Sequence, residues 1–203
     1  MPENQEISQD LKKNQILAAA KQVFGRFGFA KTTLDDVANA VGMKKASLYY
    51  YYESKEELFK DVVKSETDEL IKELENKVFT TNDVHDQLTT YIKTRLAYLQ
   101  KMINIHNLTV NSILEFKPIS ELLYREFFEK QILIVVKIFS DGLQRGELKK
   151  VDTHRAANIF VSAIESIATK VLCKSKATNE INYKSIEDDS LFLTELIING
   201  LKK

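Results

Sequence analysis

Thr32-Thr33-Leu34-Asp35-Asp36-Val37-Ala38-Asn39-Ala40-Val41-Gly42-Met43-Lys44-Lys45-Ala46-Ser47-Leu48-Tyr49-Tyr50-Tyr51-Tyr52 is the stretch on which the fold turns. Thr33 is a good N-cap, and Asp35 and Asp36 follow in the first turn, where the positive end of a helix dipole favours acids. Asp36, three residues after Thr33, resembles a capping-box partner with a shorter acid than usual. Leu34, Val37, Ala38 and Val41 form one apolar face of this short helix. Val41-Gly42-Met43 reads as a turn centred on glycine. A second short helix is predicted from Lys44 to about Tyr51, with Leu48 and Tyr52, four apart, on its inner face.

Short helix, glycine turn, short helix is the arrangement that lays a second helix across the major groove of DNA. The outer face of that second helix carries Lys44, Lys45, Ser47, Tyr50 and Tyr51. Its N-terminal end points a positive dipole outward, which suits phosphate or base edges, and Lys44 and Lys45 add charge there. Tyr49 and Tyr50 offer hydroxyls to phosphate oxygens and rings to sugars or thymine methyls. Lys55, in the first turn of the next helix, is placed to hold another phosphate. Taken singly, each tyrosine is also a packing residue and each lysine a solvated one. The signal lies in the constellation.

Outward from this stretch the chain reads as all-α, with about nine helices. Residues 1 to about 8 are polar and read as a tail. A first helix follows, its apolar stripe made by Leu17, Ala20, Phe24 and Phe27 and widened by Ile16 and Val23, with Gly28 as its stop. Ser54 caps a fourth helix with Glu57 as partner, running to about Val78. Five more are predicted near 83–102, 105–115, 119–144, 153–174 and 185–202. Only 6 glycines and 2 prolines interrupt the chain, which favours long helices over strands and turns. The expected division is a DNA-binding domain over 9–58 and a helical domain for ligand binding and dimerisation over 59–203.

Charge follows the same division. Lysine plus arginine and aspartate plus glutamate both total 29, so no general attraction to nucleic acid or membrane is expected. Yet Leu11 to Lys60 holds 9 basic residues against 5 acidic ones, and Asp61 to Lys203 holds 20 against 21. The positive excess sits where DNA is expected. Cys173 is the only cysteine, so no internal disulfide can form. The opening MPENQEISQD lacks a signal-peptide pattern. The longest strongly apolar run, Ile132 to Phe139, is interrupted by Lys137 and falls far short of the roughly 20 residues that span a bilayer. No membrane partner is expected, and the location is read as cytoplasmic.

The run from Ile16 to Leu58 resembles the DNA-binding domain of the tetracycline-repressor (TetR/AcrR-type) family. The residues that carry the resemblance are Phe24 and Gly28, Thr32-Thr33, Val37-Ala38, Val41-Gly42, Leu48-Tyr49, and Ser54-Lys55-Glu56 with Leu58. The resemblance implies that Thr33 caps its helix and touches a phosphate. It implies that Lys45, Ser47 and Tyr50 face base edges or nearby backbone, and that Tyr49, Tyr51 and Lys55 hold phosphates. Two departures stand out. Lys44 replaces a small capping residue, so the recognition helix starts poorly capped or uses this lysine on DNA. Tyr52 replaces a phenylalanine, so its hydroxyl needs a partner.

Beyond Asp61 the resemblance fades to helix pattern. In 153–174, Ala156, Ala157, Ile159, Phe160, Ala163, Ile164, Ile167, Ala168, Val171 and Leu172 cover more than one stripe. In 185–202, Ile186, Leu191, Phe192, Leu193, Leu196, Ile197, Ile198 and Leu201 do the same. A helix apolar on two faces buries both, either in one large core or in part against a second subunit. Small residues such as Ala163, Ser166 and Gly200 permit close approach. The resemblance favours a homodimer through the last two helices, and a two-fold dimer calls for a pseudo-palindromic double-stranded DNA operator. It also implies a repressor released by a small-molecule inducer of unknown identity. Aromatic and polar residues of the middle helices are candidates to line its site: Tyr91, Tyr98, His106, Asn111, Glu115, Phe116, Tyr124, Phe127 and Phe128. They suit an apolar or amphipathic molecule, though aromatics at helical spacing are more often core.

Enzyme chemistry finds little footing. His85, His106 and His154 fit neither the H-E-x-x-H pattern nor the Glu-x-x-His pattern of di-iron bundles. Asp83-Val84-His85-Asp86 offers metal-ligand types but reads more simply as a capped helix start. No catalytic residue, metal or cofactor is expected. A helical protein-interaction bundle without a DNA role remains the alternative class.

Overall fold

The computed structural model describes residues 3–105, 121–178 and 180–203, with side chains from residue 9 to 103 and from 124 onward. Among the described residues there are eight helices and no strand. They are α1 (Glu3–Phe27), α2 (Leu34–Val41), α3 (Lys45–Tyr49), α4 (Lys55–Val78), α5 (Val84–Ile105), α6 (Glu121–Gln144), α7 (Thr153–Lys174) and α8 (Tyr183–Leu201). The helix expected over 105–115 lies outside the described residues, apart from its first position. So do His106, Asn111, Glu115 and Phe116. Two compact units emerge, one built on Met1–Glu66 and the other on Thr67–Lys101 and Tyr124–Lys203.

In the first unit α1 begins at Glu3, earlier than the expected tail allows. Glu3, Gln5 and Glu6 are good helix formers, and no breaker separates them from the amphipathic part. The core gathers Ile16, Ala20, Val23 and Phe24 of α1 with Leu34, Val37, Ala38, Leu48, Tyr52, Leu58, Phe59 and Val62. Phe27 departs from its expected place in the stripe: it is 48% exposed, with Arg26 over its ring at 5.2 Å. The buried line of α1 runs through Ile16, Ala20 and Phe24 at intervals of four, which leaves position 27 at the edge. Phe29, beyond the Gly28 turn, takes up the space instead. Its ring centroid lies 5.9 Å from that of Phe24 and 4.9 Å from that of Phe59.

The second unit has its core in Leu74, Leu88, Tyr91, Ile132, Val135, Ile138, Phe139, Ala157, Phe160, Val161 and Ile164, all buried. Gly142 of α6 is required by close approach: a Cβ there would overlap Val84 Cγ2. The end of α8 is tied to the loop after α6, where Lys149 N–H donates to Leu201 O at 2.7 Å. On α7 and α8 the apolar pattern exceeds what this core covers. Ile159, Phe192 and Leu196 are all more than half exposed. That surplus gives α7 the length and hydropathy of a membrane span, yet Ala157, Phe160, Val161, Ile164, Ala168 and Leu172 of the same helix are buried in protein.

Candidate nucleic-acid interface

The site is built on the turn between α2 and α3. Thr33 Oγ1 accepts from Asp36 N–H at 3.2 Å, and Asp36 Oδ2 accepts from Thr33 N–H at 2.8 Å, so the capping box closes in both directions. Thr33 Oγ1 also donates to the same carboxylate at 2.7 Å. These bonds to Thr33, side chain first, hold the Asp36 carboxyl below its ordinary pKa. Gly42 ends α2 at φ 74°, a left-handed conformation that glycine adopts without strain. Just before α2, Thr32 is buried and its hydroxyl donates to Gly28 O at 2.8 Å, which closes the turn after α1.

α3 is shorter than the expected span to Tyr51. It stops at Tyr49, and Tyr50 serves as its C-cap. Lys44 occupies the N-cap and provides no side-chain hydrogen bond, as the sequence departure at this position implies. Leu48 and Tyr52 are both buried and fix the helix to the core. The Tyr52 hydroxyl donates to Asp61 Oδ2 at 3.1 Å, and burial, reinforced by that carboxylate, raises its pKa well above the ordinary phenol value. Lys13 completes the cluster from α1, with its Nζ 2.7 Å from Asp61 Oδ2 and 5.6 Å from the Tyr52 ring centroid.

What remains outside forms one face. Lys44, Lys45, Ser47, Tyr49 and Tyr50 are exposed together, Tyr50 most of all at 75%. Thr33 is exposed beside them at the start of α2. Tyr51 divides its surface: it is half-buried against the core, and its ring meets that of Tyr50 edge-on at 5.3 Å. Lys55 is placed differently from its expected partner. Its Nζ donates to Phe29 O at 2.9 Å and lies 4.5 Å from the Phe29 ring centroid, bracing the turn after α1. Ser54 Oγ accepts from Glu57 N–H at 3.1 Å, and Glu57 reaches back to Glu53 N–H, one residue before the expected partner.

One residue of this face has a role that its sequence position does not reveal. Asp35 accepts from Lys45 Nζ at 2.7 Å across the helix-turn-helix. The hydrogen bond to Asp35, followed by the charge of the same residue, raises the Lys45 pKa. The two are ten positions apart, and no local spacing rule links them.

Of the candidate ligand residues that are described, Tyr91 and Tyr98 are buried, and Tyr124 and Phe128 stack with centroids 6.3 Å apart. Arg95 and Glu165, not singled out from sequence, form an ion pair in the same unit. Burial works against the Arg95 charge, but Glu165 outweighs it and raises the pKa. Tyr124 hydrogen-bonds to Glu165, and burial, added to that charge, raises its pKa. Tyr91 donates to Gln131 Oε1 at 2.9 Å and is pushed up to about 12, chiefly by burial.

Residues 16–62 match the family model for bacterial regulatory proteins of the tetR family. The chain is 27% identical over 154 residues to YhgD of Bacillus subtilis strain 168, an uncharacterized HTH-type transcriptional regulator, covering 74% of this chain and 78% of that one. It is 43% identical over 53 residues to IcaR of Staphylococcus epidermidis, the negative transcriptional regulator of the biofilm operon icaADBC, covering 26% and 29%. A crystal structure of a transcriptional regulator from Cytophaga hutchinsonii aligns with a TM-score of 0.79 and 26% identity, over 93% of this chain and 97% of that one. The capped turn, the buried Leu48 and the exposed lysine–tyrosine face all lie within the matched residues 16–62, and the chain is a helix-turn-helix transcriptional regulator whose DNA-binding segment is of the tetR family.

Proposed function

We propose that the chain is a repressor that works as a homodimer and is released from a pseudo-palindromic operator by a small amphipathic inducer. The observation that carries the DNA-reading half is the exposed face of Lys44, Lys45, Ser47, Tyr49 and Tyr50 on a helix anchored by buried Leu48 and Tyr52. Thr33, Tyr51 and Lys55 flank it as phosphate-side residues. Repression, as opposed to activation, is supported by the likeness to IcaR over this segment. Dimerisation through α7 and α8 is supported by the exposed Ile159, Phe192 and Leu196 on those two helices. Two such faces related by a two-fold axis would read two half-sites in register with the DNA helix.

The inducer half rests on the second unit, where Tyr91, Tyr98, Tyr124 and Phe128 accompany the Arg95–Glu165 pair. Rings beside a few polar groups suit an amphipathic molecule. Such a molecule acts only through unequal affinity for the DNA-competent and released states. α4 carries residues of both units and is the element through which the domain over 59–203 would act on the reading head over 9–58.

The test is selection of duplexes from a random pool at moderate salt, with sedimentation run in parallel. Wild type should enrich a palindromic sequence and sediment as a dimer. Replacing Lys45 and Tyr49 together with alanine should weaken binding at least about 30-fold, if two contacts of about 1–3 kcal/mol each are lost, while the dimer persists. No enrichment by wild type would sink the reading and leave the helical interaction bundle in its place.

A further inference from the structure

We propose that Asp35 is a specificity-determining residue: it positions the Lys45 ammonium so that this lysine reads a base edge instead of neutralising a phosphate. The inference rests on the DNA-reading assignment and deepens it. A lysine on a recognition helix is ordinarily a flexible point charge, and its commonest partner is the DNA backbone. Lys45 is not free in that way. Its Nζ is 2.7 Å from Asp35 Oδ2 on α2 and 5.7 Å from the centroid of the Tyr49 ring on α3. Its position is thus defined from both helices of the motif.

Asp35 is itself held. It lies in the first turn of α2, where the dipole favours its charge. Its Oδ1 is shut off from solvent without a hydrogen-bond partner, while Oδ2 faces Lys45. An ammonium has three donors, and Asp35 takes one. The other two can meet the O6 and N7 acceptors of a guanine.

The charge balance points the same way. An acid at a DNA-facing surface weakens binding to every sequence, because phosphates repel it. Paired with Lys45, it leaves a unit of zero net charge that displaces no counterion. General affinity is lowered, and what remains depends more on the base presented. Lys44, one residue earlier and exposed, keeps the ordinary role of a phosphate lysine.

The experiment compares wild type with Lys45→Ala, Asp35→Asn and Asp35→Glu. The probes are the duplex that wild type selects, that duplex with each base pair substituted in turn, and a random duplex, over about 50–200 mM salt. Lys45→Ala should lose about 10-fold or more of discrimination at one base pair per half-site, and should weaken binding to every duplex because Asp35 is left unpaired. Asp35→Asn should lose discrimination at that same base pair and bind random duplex more tightly. Its slope of log affinity against log salt should steepen by about 0.9 per head, because the freed lysine now displaces a counterion. Asp35→Glu, which keeps the charge, should recover part of the preference. If Asp35→Asn changes neither preference nor slope, the inference is overturned. It is equally overturned if Lys45→Ala flattens the slope while discrimination survives, an arm that still decides should Asp35→Asn fail to fold. A wild type that selects no sequence would instead overturn the regulator reading, and this inference with it.

Discussion

The reading head and the C-terminal helices bury different kinds of residue. In the head the core is aliphatic and aromatic, and the buried polar residue, Thr32, closes a local turn. Charges on α2 and α3 sit at the surface, while Lys21 Nζ of α1 meets Glu66 Oε1 at 2.9 Å with both side chains largely enclosed. The C-terminal unit buries Gln87, Thr94, Gln131, Ser175, Ser190 and Thr194 and sets the Arg95–Glu165 pair between α5 and α7. Gln87 Oε1, Arg95 Nε and Ser190 Oγ there are buried without a partner among the described residues. The head's core has few buried polar groups, Thr32 and the unpartnered Asp35 Oδ1 among them, so it has few alternatives of similar energy and is suited to hold one shape. A core with half-satisfied polar groups has partners to exchange, which suits a unit that must respond to a signal.

The largest effect should come from the head. Leu48 is fully buried, and Leu48→Ala should lower stability by about 3–4 kcal/mol through lost burial and the cavity left behind. Duplex binding should vanish, while sedimentation still reports a dimer. If the variant binds its duplex normally, the head is not a rigid framework for the recognition helix.

A smaller effect is expected inside the second unit. Glu165→Gln strands the Arg95 charge, whose side chain is only 16% exposed, and should cost about 2–3 kcal/mol in denaturant unfolding. Replacing both partners together, Arg95→Met with Glu165→Leu, should recover most of that loss, since a well-packed apolar pair avoids desolvating two charges. A double variant as unstable as the sum of its parts would mean that the two residues act separately.

The smallest effect is at the surface, where His85 Nε2 donates to Glu195 Oε1 at 2.6 Å. The hydrogen bond to Glu195 comes first among the causes that raise the His85 pKa above its ordinary 6.5. A raised folded-state value means that this contribution is complete below pH 6.5. It is lost as pH climbs through the folded value. Both side chains are substantially exposed, so the change should be slight. Glu195→Gln should flatten that part of the stability–pH profile. An unchanged profile would show that the pair does nothing in solution.

The two regions also differ in how far they can be read along the chain. The head is legible because its decisive features are local. Thr33 and Asp36 are three apart, Leu48 and Tyr52 four apart, and Gly42 marks the left-handed turn between α2 and α3. Caps, turns and helix faces are short-range devices, so residue order nearly determines them. The start of α1 and the exposure of Phe27 depart from expectation for a complementary reason. Helix propensity carries α1 past its apolar stripe, and Phe29 arrives from beyond a turn to take the inner position.

The residues of this chain alone determined eight described helices, the helix-turn-helix and the lysine–tyrosine face upon it, because local spacing and capping suffice for each. Tertiary structure alone decided which charges meet across elements. Lys45 found Asp35 ten residues away, Lys55 turned to the carbonyl of Phe29, and Arg95 met Glu165 seventy positions along the chain. Ion pairs across elements depend on how helices pack, and packing is set by the whole apolar surface at once. No spacing along the chain encodes it.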